Sequence, residues 1–159
     1  MRLYKLRRLL IAVGISELAG FIGAGFTAAA IPTWYAALEK PSLNPPSWVF
    51  GPTWLLLYLL MGIAAYLVWE RGWEHIWVRH SIKLFAVQLV LNAAWSIIFF
   101  KYQNPGWALV DIVALWIAVV ATIGAFAKHS RLAAALMIPY ILWVSFATYL
   151  NYSIWMLNK

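Results

Sequence analysis

The sequence predicts an all-α integral membrane protein, a single bundle of five transmembrane helices with a proline-rich first loop acting as a lid. Three observations predict it. The 159 residues are 65% hydrophobic and only 11% charged, far less polar than the surface of a soluble domain of that length requires. The apolar residues run in long blocks with few charges, as in helices that cross a bilayer. Between the first two blocks, residues 31–54 hold five of the seven prolines and three of the eleven tryptophans.

Five blocks reach the ~20 residues needed to cross the hydrocarbon, at about 8–30, 47–69, 79–101, 105–127 and 131–157. The first follows a basic N-terminus and looks at first like a signal peptide. Its apolar run continues to about Ala30, too long for a signal core, and Glu17 interrupts it, so it is a retained helix. In the second, Pro52 falls in the opening turns, where a missing amide N–H costs little. Segments Glu70 to His80, Lys101 to Pro105 and Lys128 to Arg131 mark the later joints. Pro139 lies inside the fifth block and predicts a kink there. The whole chain, 1–159, reads as one domain.

Five crossings put the two ends of the chain on opposite sides. Arg2, Lys5, Arg7, Arg8, Arg71, Arg79, Lys83, Lys128 and Arg131 share the N-terminal side; Lys40, Lys101 and Lys159 lie on the other. The nine-to-three bias predicts a cytoplasmic N-terminus, with the first loop and the C-terminus opposite. The net charge of +7 is thereby a matter of topology, and no nucleic-acid partner is expected. Having no cysteine, the chain lacks disulfides, thiolate metal sites and cysteine nucleophiles.

At ~1.5 Å of rise per residue, most deep polar and aromatic residues fall in the half of the bilayer beneath the first loop. Phe50, Trp54 and Tyr58 form one helical stripe. Gln88, Asn92, Trp95, Ser96 and Phe99 form a second, and Trp143, Ala147, Leu150, Asn151 and Ile154 a third. Because amides rarely face lipid, the stripes point inward and predict an aromatic pocket with a few fixed polar groups. Trp54, Trp95 and Trp143 are too deep for the interfacial belt that suits Trp69, Trp73, Trp77, Trp107 and Trp155.

Several residues carry two readings. Gln88, Asn92 and Asn151 serve either as interhelical hydrogen-bond ties or as ligand contacts. Asp111 is a relay or counter-ion, or else it pairs with a neighbouring helix, and Glu17 shares that ambiguity. The small-residue stripe Ser16, Gly20, Ala24 and Ala28 admits a close helix, within the monomer or in a dimer. His75, His80 and His129 lack partners at metal spacing, so no metal site is expected. No Walker loop, nucleophile elbow or pair of carboxylates supports classical enzyme chemistry.

The segments "WYAALEKPSLNPPSWVFGPTW", "QLVLNAAW" with "IIFF" after Ser96, "WALVD" and "PYILWVSFATYLNYSIW" resemble the tryptophan-rich sensory protein family. Its animal members are called translocator protein or peripheral-type benzodiazepine receptor. The resemblance covers Trp34 to Asn158 and implies a five-helix bundle, often a homodimer, whose first loop closes a pocket. The ligands it implies are protoporphyrin IX and related tetrapyrroles, cholesterol, and synthetic benzodiazepine-type compounds, with no obligatory cofactor. Carried over by motif, the ligand-binding residues are Trp34, Trp48, Trp54, Tyr58, Asn92, Trp95, Trp143, Phe146, Ala147 and Leu150.

The implied function is a receptor or transport-type protein with a sensory role in a bacterial cell envelope. An alternative is light- or oxygen-dependent porphyrin breakdown, with Trp54 and Trp143 as the catalytic candidates. Two positions depart from the family pattern. Leu43 stands where members often have Trp, and Lys159 lies one position too far beyond Tyr152 for the animal proteins' sterol motif.

Overall fold

A computed structural model describes residues 2–159 and shows six helices that make five membrane crossings. Helix α1 (Arg2–Ala30) runs on into a π-helical turn, Ile31–Tyr35. A 3₁₀ turn, Ser47–Val49, leads into α2 (Phe50–Trp69). Helix α3 (Ile76–Ser96) is extended by a second π-helical turn, Ile97–Lys101. Helix α4 is Pro105–Ala127, and the last crossing is split into α5 (Arg131–Leu136) and α6 (Ile138–Leu157). Five helical segments are long and apolar enough to span a membrane, so the chain is a multi-pass, all-α membrane bundle.

The first crossing is longer than its hydropathy indicates. The expected loop opened at Ile31, but helix continues through Pro32 to Ala37, and the irregular loop covers only 38–46. A proline inside a helix removes one donor and crowds the preceding turn. Here the turn widens to π geometry, and the Thr33 hydroxyl donates to the carbonyls of Ala29 and Ala30 at 3.2 and 3.3 Å. Side-chain compensation of this kind keeps helix intact through proline in apolar surroundings. Trp34 therefore sits on α1's extension rather than in the loop.

The joints follow local chemistry. Gly72 has φ +113, a conformation only glycine adopts without cost, and it turns the chain into α3. Asn104 caps α4, its side-chain oxygen accepting from the Trp107 N–H at 3.1 Å, and Ser130 caps α5 through Ala133 at 3.2 Å. The kink expected at Pro139 appears as a break at Met137, so that the proline falls in the first turn of α6, where its missing N–H is harmless.

Helix α1 packs on α2 and α3, α3 on α4, and α4 on α6, while α5 fills in between α2 and α4. Lipid is as apolar as leucine, so close packing and hydrogen bonds drive helix association within a bilayer. A Cβ on Gly62 would lie 2.6 Å from the Val13 Cα, and one on Gly20 would meet the ring of Tyr58 at 2.5 Å. On the other side of α1, a Cβ on Gly23 would come within 2.8 Å of the Ser96 hydroxyl. Ser16 is fully buried. The first half of the small-residue stripe, Ser16 and Gly20, is thus packed within the monomer, while Ala24 and Ala28 stay exposed.

Both ends of the bundle are fastened. At the N-terminal end, Arg8 donates to Glu70 at 3.0 Å, and its guanidinium lies 4.0 Å from the Tyr4 ring centroid and 5.2 Å from that of Trp69. Lys5 approaches the same carboxylate at 3.9 Å. The side chain of Arg2, counted above with this cluster, lies outside the described residues. At the other end the Asn158 amide clasps the loop at Glu39, accepting from its N–H at 3.0 Å and donating to its C=O at 2.9 Å. Tyr35 fixes the loop from beneath by donating to Asn44 at 2.8 Å.

Replacing Gly62 by Val should lower stability by about 1–3 kcal/mol, because the added methyls meet backbone that cannot give way. Gly14→Ala, where a Cβ meets nothing within 4 Å, should lose none. Midpoints of unfolding in a denaturing-detergent titration compare the two.

Candidate ligand pocket

A cavity of about 470 Å³ lies between α1, α2, α3 and α6 in the loop-side half of the bundle. The end of the loop, Ser47 and Trp48, reaches its rim. Helix α2 contributes Phe50, Trp54 and Tyr58, α3 contributes Asn92, Trp95 and Phe99, and α6 contributes Trp143, Ala147 and Leu150. These are the three stripes expected from helical spacing. The fourth wall is α1, with Gly20, Ala24 and Ala28 among its lining residues. Here the small-residue stripe leaves volume unfilled as well as admitting a neighbour.

Exposed lining residues mark the mouth. Phe21, Ala24 and Ala28 on α1 face Trp48, in the 3₁₀ turn, and Gly51 and Leu55 on α2, each set at helical spacing and each exposed. Lower down, the same two helices close on each other at Gly20 and Gly62. The cavity therefore opens sideways between α1 and α2.

The aromatic wall is a contact network. The Trp54 ring lies 5.7 Å from Tyr58, 6.3 Å from Tyr140 and 6.4 Å from Trp143, the two indoles standing nearly perpendicular at 89°. Phe50 meets Trp143 edge-on at 6.1 Å. Across the cavity Trp95 stacks on Phe99 at 5.3 Å. Such tilted and edge-to-face pairs hold rings in place without filling the space between walls.

Buried hydrogen bonds fix these rings. Tyr58 donates to the Asn92 oxygen at 2.5 Å, the Asn92 amide donates to the Tyr140 hydroxyl at 2.7 Å, and Tyr140 donates to Gln88 at 2.8 Å. The Gln88 amide ends the relay on the Met61 sulfur at 3.8 Å. A second tie runs through Asn151, which accepts from the Trp95 indole at 2.9 Å and donates to the Pro105 carbonyl at 2.7 Å. The amides thus act as interhelical ties. Asn92 and Asn151 also border the cavity, each with one of its two amide N–H groups engaged in these ties.

Eight of the ten residues singled out from the sequence line this cavity: Trp48, Trp54, Tyr58, Asn92, Trp95, Trp143, Ala147 and Leu150. Two stand outside its wall. Trp34, carried on the extended α1, packs edge-on behind Phe99 at 5.5 Å, and Phe146 lies against Trp143 and Tyr149 at 5.7 and 6.4 Å. Leu43 is 64% exposed and forms no part of the wall, so the missing ring there leaves the cavity unaltered. Sequence reasoning overlooked the α1 wall; its signal was the small-residue stripe, read only as a helix contact. It also left Glu17 without a place, and Glu17 lines the cavity.

The expected pairing of Asp111 with a neighbouring helix does not occur among the described residues. Its Oδ2 is buried without a hydrogen-bond partner, as is the Nε1 of Trp143. His129 rests on Ser81 at 3.1 Å, and the described residues contain no group of three or more potential metal ligands.

Comparison with known proteins agrees with this architecture. The model of the TspO/MBR family matches residues 12–156. The chain is 46% identical over 150 residues to the tryptophan-rich protein TspO of Chlorobaculum tepidum, covering 94% of this chain and 95% of that one. It is 50% identical over 140 residues to the TspO protein of Archaeoglobus fulgidus, covering 87% and 89%. Similarity extends to the translocator protein of Homo sapiens, 45% identical over 136 residues, covering 85% and 80%. A tryptophan-rich sensory protein of Cereibacter sphaeroides is 36% identical over 125 residues, covering 79% and 77%.

Asn92→Ala should cost about 1 kcal/mol, since it removes two interhelical bonds from the relay in apolar surroundings. Thr148→Val, where the hydroxyl only returns to its own helix at Val144, should change stability by less than about 0.5 kcal/mol. The same detergent titration reads both.

Proposed function

Because the chain belongs to the TspO/MBR family, we propose that it is a membrane receptor or transport-type protein binding tetrapyrroles such as protoporphyrin IX in the cavity beneath the first loop. The observation that carries this reading is the cavity's character. About 470 Å³ of space is walled by indole and phenyl rings and has few free polar atoms. Volume and lining both suit a drug-sized apolar ligand. A flat macrocycle gains contact along both faces between walls that are already rigid, so little order is lost on binding.

In this reading the clasped loop is the lid and the α1–α2 gap is the way in from the lipid. Sterols, apolar and flat, are the second ligand class such a side opening would admit. The nine-to-three distribution of basic residues supports a cytoplasmic N-terminus in a bacterial cell envelope, with the loop and C-terminus opposite. Homodimerisation would not use Ser16 and Gly20, which the monomer already packs against its own helices.

One observation favours a second reading, light- or oxygen-dependent porphyrin breakdown. Trp54 and Trp143 touch at 6.4 Å, and the Trp143 N–H is buried without an acceptor, an arrangement in which an indole could exchange an electron with a bound pigment.

A porphyrin titration run in darkness and then under light distinguishes these readings. Binding predicts saturable quenching of tryptophan fluorescence at micromolar protoporphyrin and a pigment spectrum that survives illumination. Trp54→Leu should weaken it about three- to tenfold, the range expected for one lost aromatic contact, and Trp107→Leu, exposed on α4, should not. A new product spectrum under light, lost in Trp143→Phe, would establish breakdown instead. Absence of both quenching and product ends the tetrapyrrole reading.

A further inference from the structure

The cavity has a chemical polarity along the membrane normal, and a single side chain creates it. Glu17 is the one acidic or basic residue among those that line the space. It lies nine residues beyond Arg8, or about 14 Å along α1, well away from the cluster of Arg8, Lys5 and Glu70. No ion pair or side-chain hydrogen bond is formed by Glu17 among the described residues. The nearest phenol of the cavity wall, Tyr58, donates its proton to Asn92. Gly20, one turn above, is covered by the Tyr58 ring, so the carboxyl stands at the floor where α1 and α2 close.

Two lysines lie near the opposite end but outside the cavity lining, and the ammonium of Lys40 donates to the Ala36 and Leu38 carbonyls. Lys40 lies 5.1 Å from the Tyr35 ring centroid, and Lys101 lies 5.3 Å from that of Phe26. Tyr35 and Phe100, the neighbour of Lys101, are cavity-lining residues. A carboxyl group in apolar surroundings is expensive unless a donor or a cation meets it. The hydrogen bonds formed by the cavity's amides, phenols and indoles go to other partners, leaving Glu17 with an unmet acceptor. Even when protonated it keeps an acceptor oxygen.

We propose that Glu17 sets the orientation and selectivity of the cavity. It receives an N–H donor or amine at the deep end of an apolar ligand and keeps carboxylates away from that end. The inference rests on the cavity being a ligand site. It deepens that reading by naming the ligand class: aromatic molecules whose donor and acid groups sit at opposite edges, or that carry a donor alone. A tetrapyrrole, whose N–H groups sit at the ring centre, offers Glu17 no edge donor, but one with its acids along one edge can hold them away from it, and one with acids around the whole ring cannot.

Two probes of one body test it: 1-pyrenemethylamine and 1-pyrenecarboxylate, titrated into protein in zwitterionic nanodiscs, with empty nanodiscs subtracted. Energy transfer from tryptophan to pyrene gives both affinities. The wild type should bind the amine at least about tenfold more tightly than the acid, the smaller end of the range for a hydrogen bond to a charged group. Glu17→Gln should erase that preference by weakening the amine and leaving the acid unchanged. A wild-type ratio near one overturns the proposal, and this comparison needs no variant to fold. An undiminished preference in Glu17→Gln overturns it equally. Protoporphyrin, titrated in parallel, separates the two readings. If it fails to bind while the amine preference holds, the tetrapyrrole reading falls and Glu17 stands. If it binds while the preference is absent, the role of Glu17 falls alone.

Discussion

The relay of hydrogen bonds from Tyr58 through Asn92 and Tyr140 to Gln88 is the constraint on which the bundle depends. Hydrocarbon offers no alternative partner to a polar group, so each must be satisfied by the protein. Two phenols and two amides accomplish this by meeting at the junction of α2, α3 and the final crossing. Once they meet, the azimuth of each helix is fixed, because a small rotation would leave a donor or acceptor bare. The aromatic residues one turn away, Trp54, Trp95 and Trp143, inherit their places from this agreement. The cavity walls are held from below by polar chemistry although they are themselves apolar.

Space in such a bundle has to be maintained against packing, which tends to close it. Three crossings bring large rings to the same level, and α1 brings glycine and alanine. Rings that brace one another edge-to-face are too rigid to collapse inward, and residues without side-chain bulk cannot fill what the rings leave. Contact and vacancy thus arise from a single stripe. Gly20 lies beneath a ring, while Ala24 and Ala28, farther along the same helix, border open space.

The membrane crossings were legible in the sequence because apolar length is a direct consequence of bilayer thickness; α4 begins and ends where hydropathy places it. The three inward stripes were legible because amides do not face lipid. What the sequence concealed was the end of the first crossing. Proline at position 32 ordinarily signals departure from helix, yet a widened turn and the Thr33 hydroxyl carry the helix past it. That error placed Trp34 in the loop and lengthened the loop itself. The α1 wall was hidden for a different reason. Small residues state only that something comes close, and whether it is a helix, a ligand or empty space is decided by the other three walls. Phe146 illustrates the limit of motif transfer, since it packs against Trp143 and yet does not itself line the cavity.

The amide of Asn158 holds residue 39 across a sequence separation of 119. A contact of that span cannot exist while the chain is still emerging from the ribosome. One fastening of the first loop, from Tyr35 to Asn44, is local, whereas this one needs residue 158 to be in place. The seated form of the loop therefore requires the first and fifth crossings to stand side by side, a long-range condition on a short segment.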